Sequence, residues 1–74
     1  MSVLAALTAR EITRKLVKAG FRFIYAKGSH CFFHNLISNR ITLVPMHGGK
    51  NIGRGLLRKI LKQAGISVEE FIKL

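Results

Sequence analysis

Carboxylates are almost missing from this chain: aspartate does not occur, and glutamate occurs only as Glu11, Glu69 and Glu70. That scarcity argues against a metal-dependent nuclease, because hard divalent cations are held by clustered oxygen ligands. Cysteine is as scarce. With Cys31 alone no disulfide closes within the chain and no cysteine-based zinc site assembles, which fits a reducing compartment. No apolar run reaches the roughly 20 residues of a membrane span. Residues 3–7 are too short for a signal sequence and lack its basic flank, so a cytoplasmic protein is expected. No low-complexity tail or linker interrupts the 74 residues, and one domain over 1–74 is expected.

Positive charge is what the chain has in excess. Thirteen lysines and arginines stand against three acids, a formal charge of +10. A compact body with that imbalance repels itself, a cost tolerated where a polyanion is bound. Nucleic acid is the leading partner, since each neutralised phosphate releases counterions. An acidic protein relieves the same repulsion, and composition does not separate the two. The hydrophobic share of 49% is ample for one core.

The order of elements follows from local signals. Thr8 and Glu11 write a capping box, with Leu7 and Ile12 as the staple, and Gly20 stops the helix. From Phe21 the period changes to two, the mark of a strand. Lys27-Gly28 reads as a hairpin turn into a second strand over 30–35. A polar break at Ser38-Asn39 leads to a third strand over 41–44, ended by Pro45.

A loop with Gly48 and Gly49 precedes a second helix over 53–64, stopped by Gly65. Leu56, Leu57, Ile60, Leu61 and Ala64 form its apolar face, with Arg54, Arg58 and Lys62 opposite. Ser67 and Glu70 repeat the capping box for a short last helix. Residues before Leu7 read as a frayed lead-in. The sum is an α+β two-layer sandwich, double-stranded-RNA-binding-domain-like, in the order α-β-β-β-α with a short C-terminal helix.

His30 is the first candidate for chemistry, because imidazole titrates near neutral pH. A turn at Lys27-Gly28 pairs Tyr25 with His30 and Phe23 with Phe32 on one face, leaving Ile24, Cys31 and Phe33 on the other. Both faces then carry aromatics. On an open face His30 stands beside rings that stack on bases; on the covered face it is a hydrogen-bonded core histidine.

RNA cleavage asks little of a protein, since the 2′-OH is already adjacent to the scissile phosphate. One proton-transferring group and cations for the developing charge suffice, with no metal and no cofactor. His34 shares the strand side of His30, but more than ~12 Å along it, and reads as a surface residue. His47 in the glycine loop is equally a loop histidine or a phosphate contact. Lys27, Gly28 and Ser29 at the turn, Lys50 before a helix start, and Arg54 and Arg58 on the helix are the expected phosphate holders.

Several stretches together resemble one family. KGSHCFFHN at 27–35, VPMHGGK at 44–50 and RGLLRKILKQAGISVEEF at 54–71, preceded by LTAREITRKLVKAGF at 7–21, are similar to the HicA (YcfA-like) toxins of type II toxin–antitoxin systems. The resemblance implies a double-stranded-RNA-binding-domain-like fold and endoribonuclease activity on mRNA (an mRNA interferase). It also implies catalysis by the histidine of the GSH turn, here His30, and neutralisation by a HicB antitoxin that covers the RNA-facing surface. Many members carry a second histidine where this chain has Cys31, so no helper role passes to that position. The alternative is a non-catalytic RNA-binding module on the same scaffold; a third reading is a basic surface that serves protein–protein binding.

Overall fold

The computed structural model describes residues 4–46 and 48–74, which form eight elements. In order they are β1 (Leu7–Thr8), α1 (Ala9–Lys18), β2 (Phe21–Lys27), β3 (His30–Asn35), β4 (Ile41–Pro45), β5 (Asn51–Ile52), α2 (Arg54–Ala64) and α3 (Val68–Ile72). Strands β2, β3 and β4 make one antiparallel sheet in that spatial order, and α1 and α2 pack on one face of it. This is the expected α+β sandwich of double-stranded-RNA-binding-domain type.

Both capping boxes form. Thr8 Oγ1 accepts from the Glu11 N–H at 3.2 Å, and Glu11 Oε1 accepts from the Thr8 N–H at 3.0 Å. Ser67 and Glu70 do the same at the head of α3. Ile12 and Leu16 of α1 and Leu57, Ile60, Leu61 and Ala64 of α2 are buried against Phe21, Phe33 and Val44 of the sheet. Leu56 departs from the expected apolar face: it is 42% exposed, because it sits at the flank of α2 rather than under it.

The hairpin register differs from the expected one. Gly28 and Ser29, not Lys27 and Gly28, form the turn, so Lys27 pairs with His30 and Tyr25 with Phe32. Gly28 has φ +61, the glycine-first geometry of a type II′ turn. The register then shifts between Phe23 and Tyr25, so Phe23 pairs with Phe33 and Phe21 with Asn35. The shift is a β-bulge at Ile24. Without it, the turn register would set Phe21 opposite Leu36 on the uncovered face; with it, Phe21 enters the core. Phe23 thereby joins the Phe33 side, its ring edge-on to Phe33 at 5.9 Å, yet remains 56% exposed at the sheet margin.

Two further departures concern the chain before α1. Leu4 is 2% exposed and belongs to the core rather than to a frayed lead-in. Leu7–Thr8 pairs antiparallel with Asn51–Ile52, which tethers the far end of the glycine loop to the head of α1.

Asn35 was not singled out by sequence, and it ties three segments together. Its Nδ2 donates to the Ala19 carbonyl at 3.2 Å, and its Oδ1 accepts from the N–H groups of Ile37 and Ser38 at 2.9 and 3.1 Å. The end of α1 and the β3–β4 turn are thus held by one buried side chain. Replacing Asn35 with alanine leaves those groups unpaired and is expected to cost about 2 kcal/mol, read as a lower urea midpoint at unchanged slope.

The Thr8 backbone and hydroxyl bonds hold the Glu11 carboxyl below its ordinary value of 4.5. A depressed carboxylate contributes stability that is complete above that ordinary value and lost as the pH falls through the lower, folded-state one. Thr8→Ala is therefore expected to lower stability at neutral pH and to flatten the acid limb of the stability–pH curve, measured by thermal melts between pH 2 and about 6.

Candidate functional site around His30

Alternation along β3 sends Cys31, Phe33 and Asn35 toward the helices and leaves His30, Phe32 and His34 on the uncovered face. The question that the sequence left open is answered: His30 stands exposed on the open side of the sheet. Cross-strand pairing builds three rows there. Lys27, His30 and Pro45 form the first; Tyr25, Phe32 and Leu43 the second; Arg22, His34 and Ile41 the third.

The middle row is an aromatic platform. The Tyr25 and Phe32 rings stack with centroids 4.5 Å apart and planes within 7°. Tyr25 is 51% exposed, so its outer face is available to another flat group. No glutamate occurs on β2, β3 or β4. The face therefore offers a titratable imidazole, stacked rings and cations, with no carboxylate of its own to repel an anion.

His34 lies four residues from His30, about 13 Å at strand rise, with the Phe32 position between them. Its Nε2 is engaged with Asn39 Oδ1 at 2.8 Å. The two histidines do not converge on one atom. His47 lies outside the described residues.

The hairpin tip is fixed from the other side. The Met46 N–H donates to the Ser29 carbonyl at 2.7 Å, docking the start of the glycine loop against the turn. Gly48 and Gly49 then follow at φ +51 and +88, and Lys50 leads into β5. The loop that carries Lys50 is thus pinned at both ends, by Ser29 and by Thr8. Helix α2 begins at Gly53 with no side-chain cap and no acid in its first turn, in contrast to α1.

A groove of about 320 Å³ runs between His30 and α2, lined by His30, Leu43, Pro45, Leu56, Lys59 and Gln63. At about 100° per residue, positions 56, 59 and 63 share one flank of the helix. Arg54 and Arg58 fall on the outer face and do not line the groove. The sequence-expected residues thus divide. Lys27, Gly28 and Ser29 adjoin His30; Arg54 and Arg58 face solvent along α2. Lys59, unremarked in the sequence, is the α2 cation at the groove. An edge position between the apolar and charged stripes was its only signal.

Fold and site together define a small α+β protein of the double-stranded-RNA-binding-domain type with an open, basic, aromatic sheet face. Residues 9–66 match the family described as HicA toxin of bacterial toxin-antitoxin. The chain is also 39% identical over 56 residues to a protein named probable mRNA interferase HicA from Pseudomonas fluorescens (strain Pf0-1), covering 76% of this chain and 90% of that one. The chain belongs to the HicA toxin family of bacterial toxin–antitoxin systems.

The turn that presents His30 depends on Gly28, whose φ is +61 and whose missing Cβ would meet nothing within 4 Å. Its requirement is conformational, not steric. Gly28→Ala is expected to cost about 1–2 kcal/mol, lowering the melting temperature by roughly 4–8 °C per kcal/mol, measured by calorimetry.

Proposed function

We propose that this chain is a ribonuclease toxin that cleaves mRNA by metal-independent histidine chemistry, with His30 as the catalytic residue. The observation that carries the reading is the exposure of His30 on a carboxylate-free sheet face, in line with Lys27 and beside the Tyr25–Phe32 stack. Membership of the HicA family and the name of the Pseudomonas relative support the substrate class.

In this reading neutral His30 accepts the proton of the ribose 2′-OH as the 2′-oxygen attacks phosphorus. The P–O5′ bond breaks, leaving a 2′,3′-cyclic phosphate, and the departing 5′-oxygen takes a proton from the imidazolium or from water. Lys27 and the Gly28-Ser29 turn hold the reacting phosphate, and Lys50 holds a neighbouring one. Arg54 and Arg58, on the outer face of α2, hold phosphates further along the strand. Bases adjoining the cut stack on Tyr25. A HicB-type antitoxin neutralises the toxin by covering this same basic face, where an acidic partner relieves the repulsion of the +10 chain.

The stacked rings and cations would bind RNA even without proton transfer, so the non-catalytic module is the reading to be separated. His30→Ala is expected to reduce cleavage by ~10²–10⁴ while leaving salt-sensitive RNA binding within a few-fold. A gel assay of both proteins on the same transcript, with a filter-binding curve alongside, checks both. Undiminished cleavage by the variant rejects His30 as the catalytic residue; binding without scission by the native chain supports the module.

A further inference from the structure

The groove between β4 and α2 contains one polar group whose orientation is determined by its surroundings. Gln63 Oε1 accepts from the Leu43 N–H at 3.3 Å and lies 3.2 Å from Thr42 Oγ1. The Leu43 N–H can only donate, so it fixes which end of the amide faces the strand. Thr42 is buried, and its single hydroxyl proton is shared between the Ile60 carbonyl at 2.9 Å and Gln63 Oε1, anchoring the arrangement to the helix. With the oxygen so engaged, the Gln63 NH₂ is turned away from the strand. Among the described residues it has no protein acceptor, and it shares the groove with apolar Leu43, Pro45 and Leu56 and with His30 and Lys59.

We infer that this groove is a nucleobase subsite in which Gln63, acting only as a donor, selects keto bases over amino bases. The inference rests on the proposed RNA substrate and adds a specificity residue to it. Three features point to a base rather than another ligand. Leu43, Pro45 and Leu56 give the groove an apolar wall, and the volume, about 320 Å³, is at the small end of ligand sites. Lys59, exposed and lining the groove, supplies a cation for the phosphate of a bound nucleotide. Leu43, one wall, pairs with Phe32, so the groove continues the Tyr25–Phe32 platform and His30 lies where the two meet.

The donor then discriminates by chemistry. Guanine O6 and uracil O4 accept from an amide NH₂, whereas the adenine N6 and cytosine N4 amino groups oppose donor to donor. A glutamine with both ends free reads adenine bidentately; here the strand has taken the oxygen.

The test is a binding titration of the full chain, followed by NMR, with the four nucleoside 3′-monophosphates. Guanosine and uridine monophosphates are expected to shift the Gln63 side-chain amide and the His30 imidazole, and to bind about tenfold more tightly than the other two, the worth of one well-placed hydrogen bond. Gln63→Glu keeps the acceptor for the Leu43 N–H but replaces the donor by a second acceptor, and the order is expected to invert. Gln63→Met, uncharged and similar in length, is expected to bring the four affinities together.

A uniform loss across the four nucleotides with the order unchanged overturns the inference, because charge alone then explains it. Absence of groove shifts with every nucleotide overturns it as well. The readout is binding, so the two readings fail separately. Keto-selective binding without RNA scission keeps the subsite and rejects the ribonuclease, and scission with no selectivity in the groove does the reverse.

Discussion

The register shift at Ile24 is the constraint on which the rest of the arrangement depends. On the turn side of it, Lys27 and Tyr25 share the open face with His30 and Phe32; on the far side, Phe21 is delivered to the core. A straight β2 could satisfy one requirement or the other, since alternation in a strand is strict. One extra residue lets the same strand close the hydrophobic layer at its start and furnish a functional surface at its end. The bulge lies between the Tyr25–Phe32 row and the Arg22–His34 row, so the change of side happens between two rows rather than inside one.

Legibility in the sequence followed the range of the interactions. Helix boundaries were readable because Thr8 with Glu11, Ser67 with Glu70, and Gly20 and Gly65 act within one turn of chain. The strand order was readable because short polar breaks separate alternating runs. The hairpin register was not, because Lys27-Gly28 and Gly28-Ser29 are both acceptable turns and both faces of the strands carry rings. The Leu7–Thr8 and Asn51–Ile52 ribbon is too short to have a period. Leu4 gives no local signal of the cavity it fills.

At the site the same rule applies. His30 was found from chemistry and from resemblance to the HicA family, but its exposure depended on which face the helices chose. Lys59 and Gln63 were invisible because α2 lies along β4, so a flank of the helix, neither its apolar face nor its charged one, borders the site. Arg54 and Arg58 looked more prominent only because a stripe of cations stands out in one dimension. Two of the three carboxylates are engaged as caps, Glu11 and Glu70, which leaves the positive field of the sheet almost uncompensated.

A three-stranded sheet has two rims with unpaired backbone groups, and this one treats them differently. Along β4, α2 lies close and the Gln63 carbonyl occupies the Leu43 N–H. Along β2 no strand among the described residues pairs with the outer edge, but the bulge breaks its regular spacing and Arg22 and Lys27 repel a second copy of so basic a chain. Those are the devices by which exposed rims resist strand-on-strand growth into polymers. The same charge that suits the open face to an anion thus also guards the bare rim beside it.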